Sequence, residues 1–285
     1  MLKTNSSIKV KLNETNYLVP FGDVHYGNRD ADINEFKRML RECNKPNHYF
    51  IGLGDIFDSI IQQDVRFQLS QLDGMDPKLL VDDLVDSYVK QFSAIWEAAD
   101  IPPDRILLIG MGNHEETLQR KYGTNPTKRF CEQCGILYGG YSGYHRLSLE
   151  YGKTNSYNVH IRYHHGYGGG SRTGGYPITK YERELMWSDA DIFLFGHDHR
   201  RHLQPYAYEK MSVNGEYVYK ARRVLAICGG FLENRPMTEY PSYGERSMYP
   251  ASDMGYIKIP MQVTARKLGR TARTNRKFVE FPVFE

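Results

Sequence analysis

The chain has 285 residues, of which 40% are hydrophobic and 25% charged, and carries a formal net charge of +3. That apolar content suffices for one integrated core, and so mild a charge gives no electrostatic argument for nucleic acid or membrane as the partner. No run approaches the roughly 20 apolar residues of a membrane span, and the start Met1-Leu2-Lys3-Thr4 has no apolar leader core, so no membrane and a cytoplasmic location are expected.

In chain order, five short apolar runs each break off into a polar cluster. The first, around Val19, ends in Phe21-Gly22-Asp23-Val24-His25. An amphipathic helix over 30–43 follows, with Ile33, Phe36 and Leu40 at helical spacing. Tyr49–Leu53 runs into Gly54-Asp55-Ile56-Phe57-Asp58. Residues 59–80 show no clear period and contain Gly74 and Pro77, which suggests an inserted lobe over the site, whereas 81–98 read as a helix. Ile106–Ile109 ends in Gly112-Asn113-His114-Glu115, and a further helix closes at Gly135 with Cys131 and Cys134 as half-buried thiols. With Cys43 and Cys228 isolated, the four cysteines make no disulfide framework.

Val159–Tyr163 leads to His164-His165-Gly166 and a glycine-rich stretch up to Gly175 that carries Arg172. A helix over 178–188 precedes Ile192–Phe195, which ends in Gly196-His197-Asp198-His199. Beyond Arg201 the texture is strand-rich, at 216–220, 224–228, 255–259 and 278–281, with a long loop over 232–250 and a basic run over 265–277. Each of the five apolar runs reads as a buried strand, so the five clusters belong at strand ends.

Carboxylate, imidazole and amide oxygen suit borderline divalent ions such as Mn, Fe, Zn or Ni, and no cluster offers a soft thiolate. In extended backbone, residues two apart point the same way, so Asp23 with His25 and His197 with His199 can each chelate. His164 and His165 alternate faces, so one of them is the ligand and the other a neighbour or substrate contact.

The ordered set Asp-x-His, Gly-Asp-x-x-Asp, Gly-Asn-His-Glu, His-Gly and Gly-His-x-His, spread over residues 17 to 199, resembles the calcineurin-like metallophosphoesterase superfamily. The resemblance implies an α/β fold, a four-layer α/β/β/α sandwich of two mixed sheets with a dinuclear metal site at the strand ends. One metallophosphoesterase domain would then span 1–285, with the lobe at 59–80 and the strand-rich part at 202–285 completing the second sheet. It also implies that Asp23, His25, Asp55 and His199 hold one divalent ion, and that Asp55 bridges to a second held by Asn113, His165 and His197. Of the adjacent pair, the His-Gly form favours His165. Mn is the first expectation for both ions, with Fe, Zn or Ni as the others. A hydroxide between ions about 3.5–4 Å apart would be the nucleophile, His114 the proton donor to the leaving oxygen, and Asp58 its orienting partner.

Substrate is less determined than reaction type. Ser/Thr phosphatases of the superfamily carry Arg-Gly after the second Asp of Gly-Asp-x-x-Asp and an Arg just before Gly-Asn-His-Glu; here those places hold Ser59-Ile60 and Met111. The first expectation is therefore a phosphodiesterase, nuclease-like, acting on nucleic acid or nucleotides, with Arg172 and His164 as substrate contacts. A phosphomonoesterase is the runner-up. A non-catalytic scaffold of the same fold, as in the retromer subunit, is disfavoured because His114 and every ligand position are intact. Oligomeric state is left open.

Overall fold

In a computed structural model of the chain, the residues described are 2–58, 77–168, 175–211, 215–216, 218–233, 235, 242–246, 248–251, 253–267 and 275–281. Most of the lobe expected at 59–80, and Arg172 in the glycine-rich stretch, lie outside them.

Two mixed sheets face each other. The six-stranded sheet runs β1 (Leu2–Lys9), β5 (Ser142–Tyr151), β6 (Asn155–His164), β7 (Ile192–Phe195), β9 (Val218–Ile227) and β8 (His202–Met211). The five-stranded sheet runs β11 (Asn275–Glu280), β10 (Ile259–Lys267), β2 (Thr15–Phe21), β3 (His48–Leu53) and β4 (Ile106–Gly110). Within them β2, β3 and β4 are parallel, as are β6, β7 and β9.

Side-chain alternation along these strands creates the layers. Leu18, Ile51, Leu108, Ile161, Ile192, Leu194 and Ala226 enter the core between the sheets. Their neighbours Val19, Phe50 and Ile109 pack outward under α1 (Ile33–Cys43), α2 (Pro77–Ala99) and α4 (Pro126–Cys134), against Phe36, Phe92, Trp96 and Phe130. On the other outer face Phe193, Phe195, Leu225 and Ile227 meet Tyr181 of α5 (Tyr176–Glu182). Continuous apolar runs such as Tyr49–Leu53 are therefore buried on both faces, as strands in covered parallel sheets are.

The chain departs from the sequence reading in several places. The helix expected over 178–188 breaks at Arg183 into α5 and α6 (Glu184–Trp187). The strands expected at 216–220 and 224–228 are one strand, β9, and 255–258 precede β10 rather than form a strand of their own. Elements not anticipated include β1, β5, β8 and α3 (Asn113–Tyr122). Within 232–250 lies α7 (Tyr243–Arg246). Gly135 caps α4 in left-handed conformation as expected. Among the described residues, no helix is long and apolar enough to cross a membrane.

Candidate metal centre

Parallel strands of both sheets end at one place. Asp23 and His25 follow β2, Asp55 and Asp58 follow β3, Asn113 and His114 open α3 after β4, His165 follows β6, and His197 and His199 follow β7. Hydrogen bonds join the loops of the two sheets: the His197 backbone N–H donates to both Asp23 oxygens at 3.1 and 2.9 Å. Asp23, His25, Asp55 and His165 are buried.

The backbone at the candidate ligands is left-handed rather than extended, which corrects the expected pairing of residues two apart: Asp23 and His25 share one donor group, whereas His197 and His199 fall in different ones. Of eight non-glycine residues with positive φ among those described, five are Asp23, His25, Asp55, His197 and His199. Asp and His tolerate left-handed backbone only at a cost, and such strain concentrates at functional sites. Two glycines let the loops touch. A Cβ on Gly54, at φ +102, would lie 2.3 Å from the Gly112 nitrogen, and one on Gly112 would lie 2.1 Å from Asp55 Oδ1.

Three overlapping groups have donor atoms all within 4.8 Å of one another: Asp23, His25 and His199; His25, Asp55 and His114; and Asp55, His165 and His197. Asp55 belongs to two of them. Its Oδ2 lies 3.3 Å from His165 Nε2 and 3.9 Å from both His25 Nε2 and His114 Nε2. Asn113 Oδ1 lies 3.0 Å from His165 Nε2 and 2.9 Å from His197 Nδ1.

The outer nitrogens of these two imidazoles face backbone carbonyls: His165 Nδ1 reaches Leu53 O at 3.0 Å, and His197 Nε2 reaches Gly168 O at 2.6 Å. A carbonyl only accepts, so it holds the proton on the nitrogen facing it and leaves the inner nitrogen's lone pair toward the centre. His25 differs, since neither ring nitrogen has a hydrogen-bond partner, and His199 Nδ1 has none either. Buried polar atoms without partners call for an explanation, and a cation among carboxylates and imidazoles supplies one. The residues present therefore fit a pair of divalent ions.

Electrostatics follow from the same contacts. Desolvation works to raise Asp55, but His165, His114 and His25 outweigh it and hold that carboxyl well below its usual range. Burial likewise opposes a low value at Asp58, yet His114 and His25 bring it down to about 2. His114 Nδ1 sits 2.9 Å from Asp58 Oδ1, while Asn28 Nδ2 donates to Asp58 Oδ2 at 2.7 Å. Burial pushes His114 down, and Asp58 and Asp55 overcome it to raise the ring to about 9. His199, with Asp23 Oδ1 at 3.7 Å, is lowered to about 4 by desolvation.

His164 points away from this cluster. Its Nδ1 accepts the Gly166 N–H at 2.8 Å, and its ring packs edge-on to Tyr141 and near Phe195. Glu115 was not given a role from the sequence, although it completes Gly112-Asn113-His114-Glu115. Fully buried, it accepts from the backbone N–H groups of Asp55, Ile56, Phe57 and Gly112 and from the Thr127 hydroxyl, at 2.7 to 3.1 Å. It thereby pins the Asp55 loop to the Asn113 turn. Only its place in the motif could have flagged it. Asn28 had no such signal.

The family model described as calcineurin-like phosphoesterase matches residues 19–201, well over half of the chain. No curated protein matches. Among solved structures, a conserved uncharacterised protein of Streptococcus pneumoniae TIGR4, described as a predicted phosphoesterase, is similar at 13% identity over 94% of this chain and 99% of that one, with a TM-score of 0.33. GAP50, described as the anchor in the inner membrane complex of Plasmodium, is similar at 10% identity over 95% of this chain and 90% of that one, with a TM-score of 0.39. Neither likeness carries an argument about activity. The family match spans every cluster that converges on the centre, and the chain belongs to the calcineurin-like phosphoesterases, hydrolases that cleave phosphoesters with divalent metal ions.

Proposed function

We propose that this enzyme is a phosphodiesterase acting on nucleic acid or nucleotides, with Asp23, His25, Asp55 and His199 holding one divalent ion and Asp55, Asn113, His165 and His197 the other. One observation carries the ligand reading: the donor groups overlap through His25 and Asp55, with unpartnered imidazole nitrogens facing carboxylates. When bound, two such ions, Mn first and Fe, Zn or Ni next, lower the pKa of a water and clamp the phosphoryl oxygens.

The chain's own residues supply the remaining steps. His114 delivers a proton to the leaving ester oxygen. Its Nδ1 is occupied by Asp58 at 2.9 Å, which leaves Nε2 for the substrate. Asp58, gripped from behind by Asn28, orients the ring. Glu115 keeps Asp55 in its left-handed conformation.

Two absences favour the diester: Ser59-Ile60 and Met111 stand where arginines would grip a dianionic monoester. The segment just after His199 borders a cavity of about 370 Å³, lined by Pro177, Ile178, Arg200, Arg201, His202 and Asp253 among others, in which Arg201 is paired with Asp253 at 3.0 Å. Met111, where related protein phosphatases carry arginine, has its sulfur 3.1 Å from Asn125 Nδ2. Arg172, outside the described residues, is kept as a proposed substrate contact. All four cysteines are free, which accords with a cytoplasmic enzyme.

Under Mn²⁺, bis-p-nitrophenyl phosphate is expected to be cleaved with higher catalytic efficiency than p-nitrophenyl phosphate. A clear preference for the monoester, with no nuclease or cyclic-nucleotide activity, would replace this reading with that of a phosphomonoesterase.

A further inference from the structure

Beside the ligand loops lies a buried ion pair that the steps above leave unused. Lys180 of α5 is 6% exposed, and its ammonium group has three acceptors. Nζ lies 2.7 and 3.0 Å from the two Asp198 oxygens and 2.9 Å from the Tyr167 backbone carbonyl. The charge also sits 4.5 Å from the centroid of the Tyr181 ring and 5.1 Å from that of Tyr167. Tyr181 adds its hydroxyl, which donates to Asp198 Oδ2 at 2.5 Å.

The two groups that Lys180 holds flank one ligand. Asp198 directly follows His197, whose backbone is left-handed at φ +73. Tyr167 directly precedes Gly168, whose carbonyl accepts from His197 Nε2 at 2.6 Å. The loops also press together at Gly166, where a Cβ would meet His197 Cβ at 2.5 Å.

We propose that Lys180 is a positioning residue for His197, holding Asp198 on one side and the Tyr167–Gly168 backbone on the other so that the ring keeps Nδ1 turned inward beside Asn113. The inference rests on the ligand reading above. As a stability device the pair would be a poor one, because a buried ion pair recovers its desolvation cost only with excellent geometry and can often be exchanged for apolar groups without loss. Groups behind a ligating imidazole, by contrast, typically matter 10–100-fold in metal affinity.

Calorimetric titration of the full-length, chelator-stripped protein with Mn²⁺ tests it. Uptake of two equivalents by the unaltered protein supports the ligand reading, and fewer than two overturns that reading and this inference with it. Lys180→Met should weaken one equivalent roughly 10–100-fold and leave the other within about twofold. Because that variant strands a buried carboxylate, Lys180→Met/Asp198→Asn forms the second arm: both charges are gone, yet the hydrogen bond to Tyr167 O is still missing. The same loss of one equivalent, in a double variant with unchanged circular dichroism and melting temperature, supports the positioning role. Two equivalents bound as in the unaltered protein, or both weakened alike, overturn it.

Discussion

The two halves of the proposed metal centre are built differently. In the half formed by Asn113, His165 and His197, each imidazole donates its outer N–H to a backbone carbonyl, Leu53 O or Gly168 O, and both inner nitrogens lie within 3.0 Å of Asn113 Oδ1. In the half formed by Asp23, His25 and His199, His25 has no hydrogen-bond partner on either nitrogen and His199 none on Nδ1. One half is oriented by the fold before any ion arrives, whereas the other depends on the ion for its polar satisfaction. Fixed tautomer and ring angle are what outer partners of metal-binding histidines provide, so the difference bears on affinity, order of loading and tolerance to mutation.

The largest expected effect removes the comparison altogether. Asp55 contributes to groups in both halves, and Asp55→Ala should lower bound metal from two equivalents toward one or none and abolish hydrolysis. Elemental analysis showing full metal content together with full activity would dismiss the bridging role. Next is His114, which touches both Asp55 and Asp58. His114→Ala should keep both metals and lose roughly 10²–10⁴ in turnover, least for p-nitrophenolate, a leaving group that scarcely needs a proton. An equal loss across good and poor leaving groups would mean that the residue positions rather than protonates.

A smaller effect tests the difference between the halves directly. The first Mn²⁺ should occupy the oriented half, with about a 10–100-fold gap between the two affinities. His197→Ala should then remove the tighter equivalent and His25→Ala the weaker one. The reverse assignment, or two indistinguishable sites, would show that outer hydrogen bonds do not set the order of loading.

How much of this could be read in advance depends on what each residue answers to. The strands preceding the five clusters were legible because burial on both faces leaves a continuous apolar run, as in Tyr49–Leu53 and Ile192–Phe195. The edge strands β1 and β8 were not, because Lys3, Asn5, Gln204 and Glu209 face solvent and blur the pattern. Candidate ligands were legible as residue types at short spacing after glycine. Lys180 was not, since it lies in a helix between two clusters with no motif around it; Asn28, three residues past His25, has no spacing that marks it as a partner of Asp58, and the carbonyls that face His165 and His197 carry no sequence signal at all. His164 and His165 show the boundary: alternation predicted that they diverge, and only the fold shows His164 spending Nδ1 on the Gly166 N–H.

The smallest effect uses an imidazole remote from the carboxylates as a reference. His145 on β5 is buried between the hydroxyls of Thr4 and Ser6, at 2.8 and 2.7 Å, and desolvation alone lowers it to about 4. His165 is desolvated too, but Asp55 overrides that and raises it to about 9. Burial is common to both, so the neighbouring carboxylate decides the sign. For His145 the unfolded chain takes up its proton near pH 6.5 and the folded chain only near 4. Between those values the unfolded state binds more protons, so this contribution is intact above pH 6.5 and is lost as the pH falls toward 4. By pH 5.5 the loss should be about 1.4 kcal/mol, roughly tenfold in the folding equilibrium. His145→Gln keeps a donor and an acceptor for the two hydroxyls and has nothing to titrate. Urea unfolding of both proteins from pH 7 to 5.5 should therefore show the variant losing less stability than the original by about that amount, with metal content unchanged at pH 7. Parallel pH profiles would mean that burial does not hold His145 neutral and that the contrast with His165 is not one of neighbouring charge.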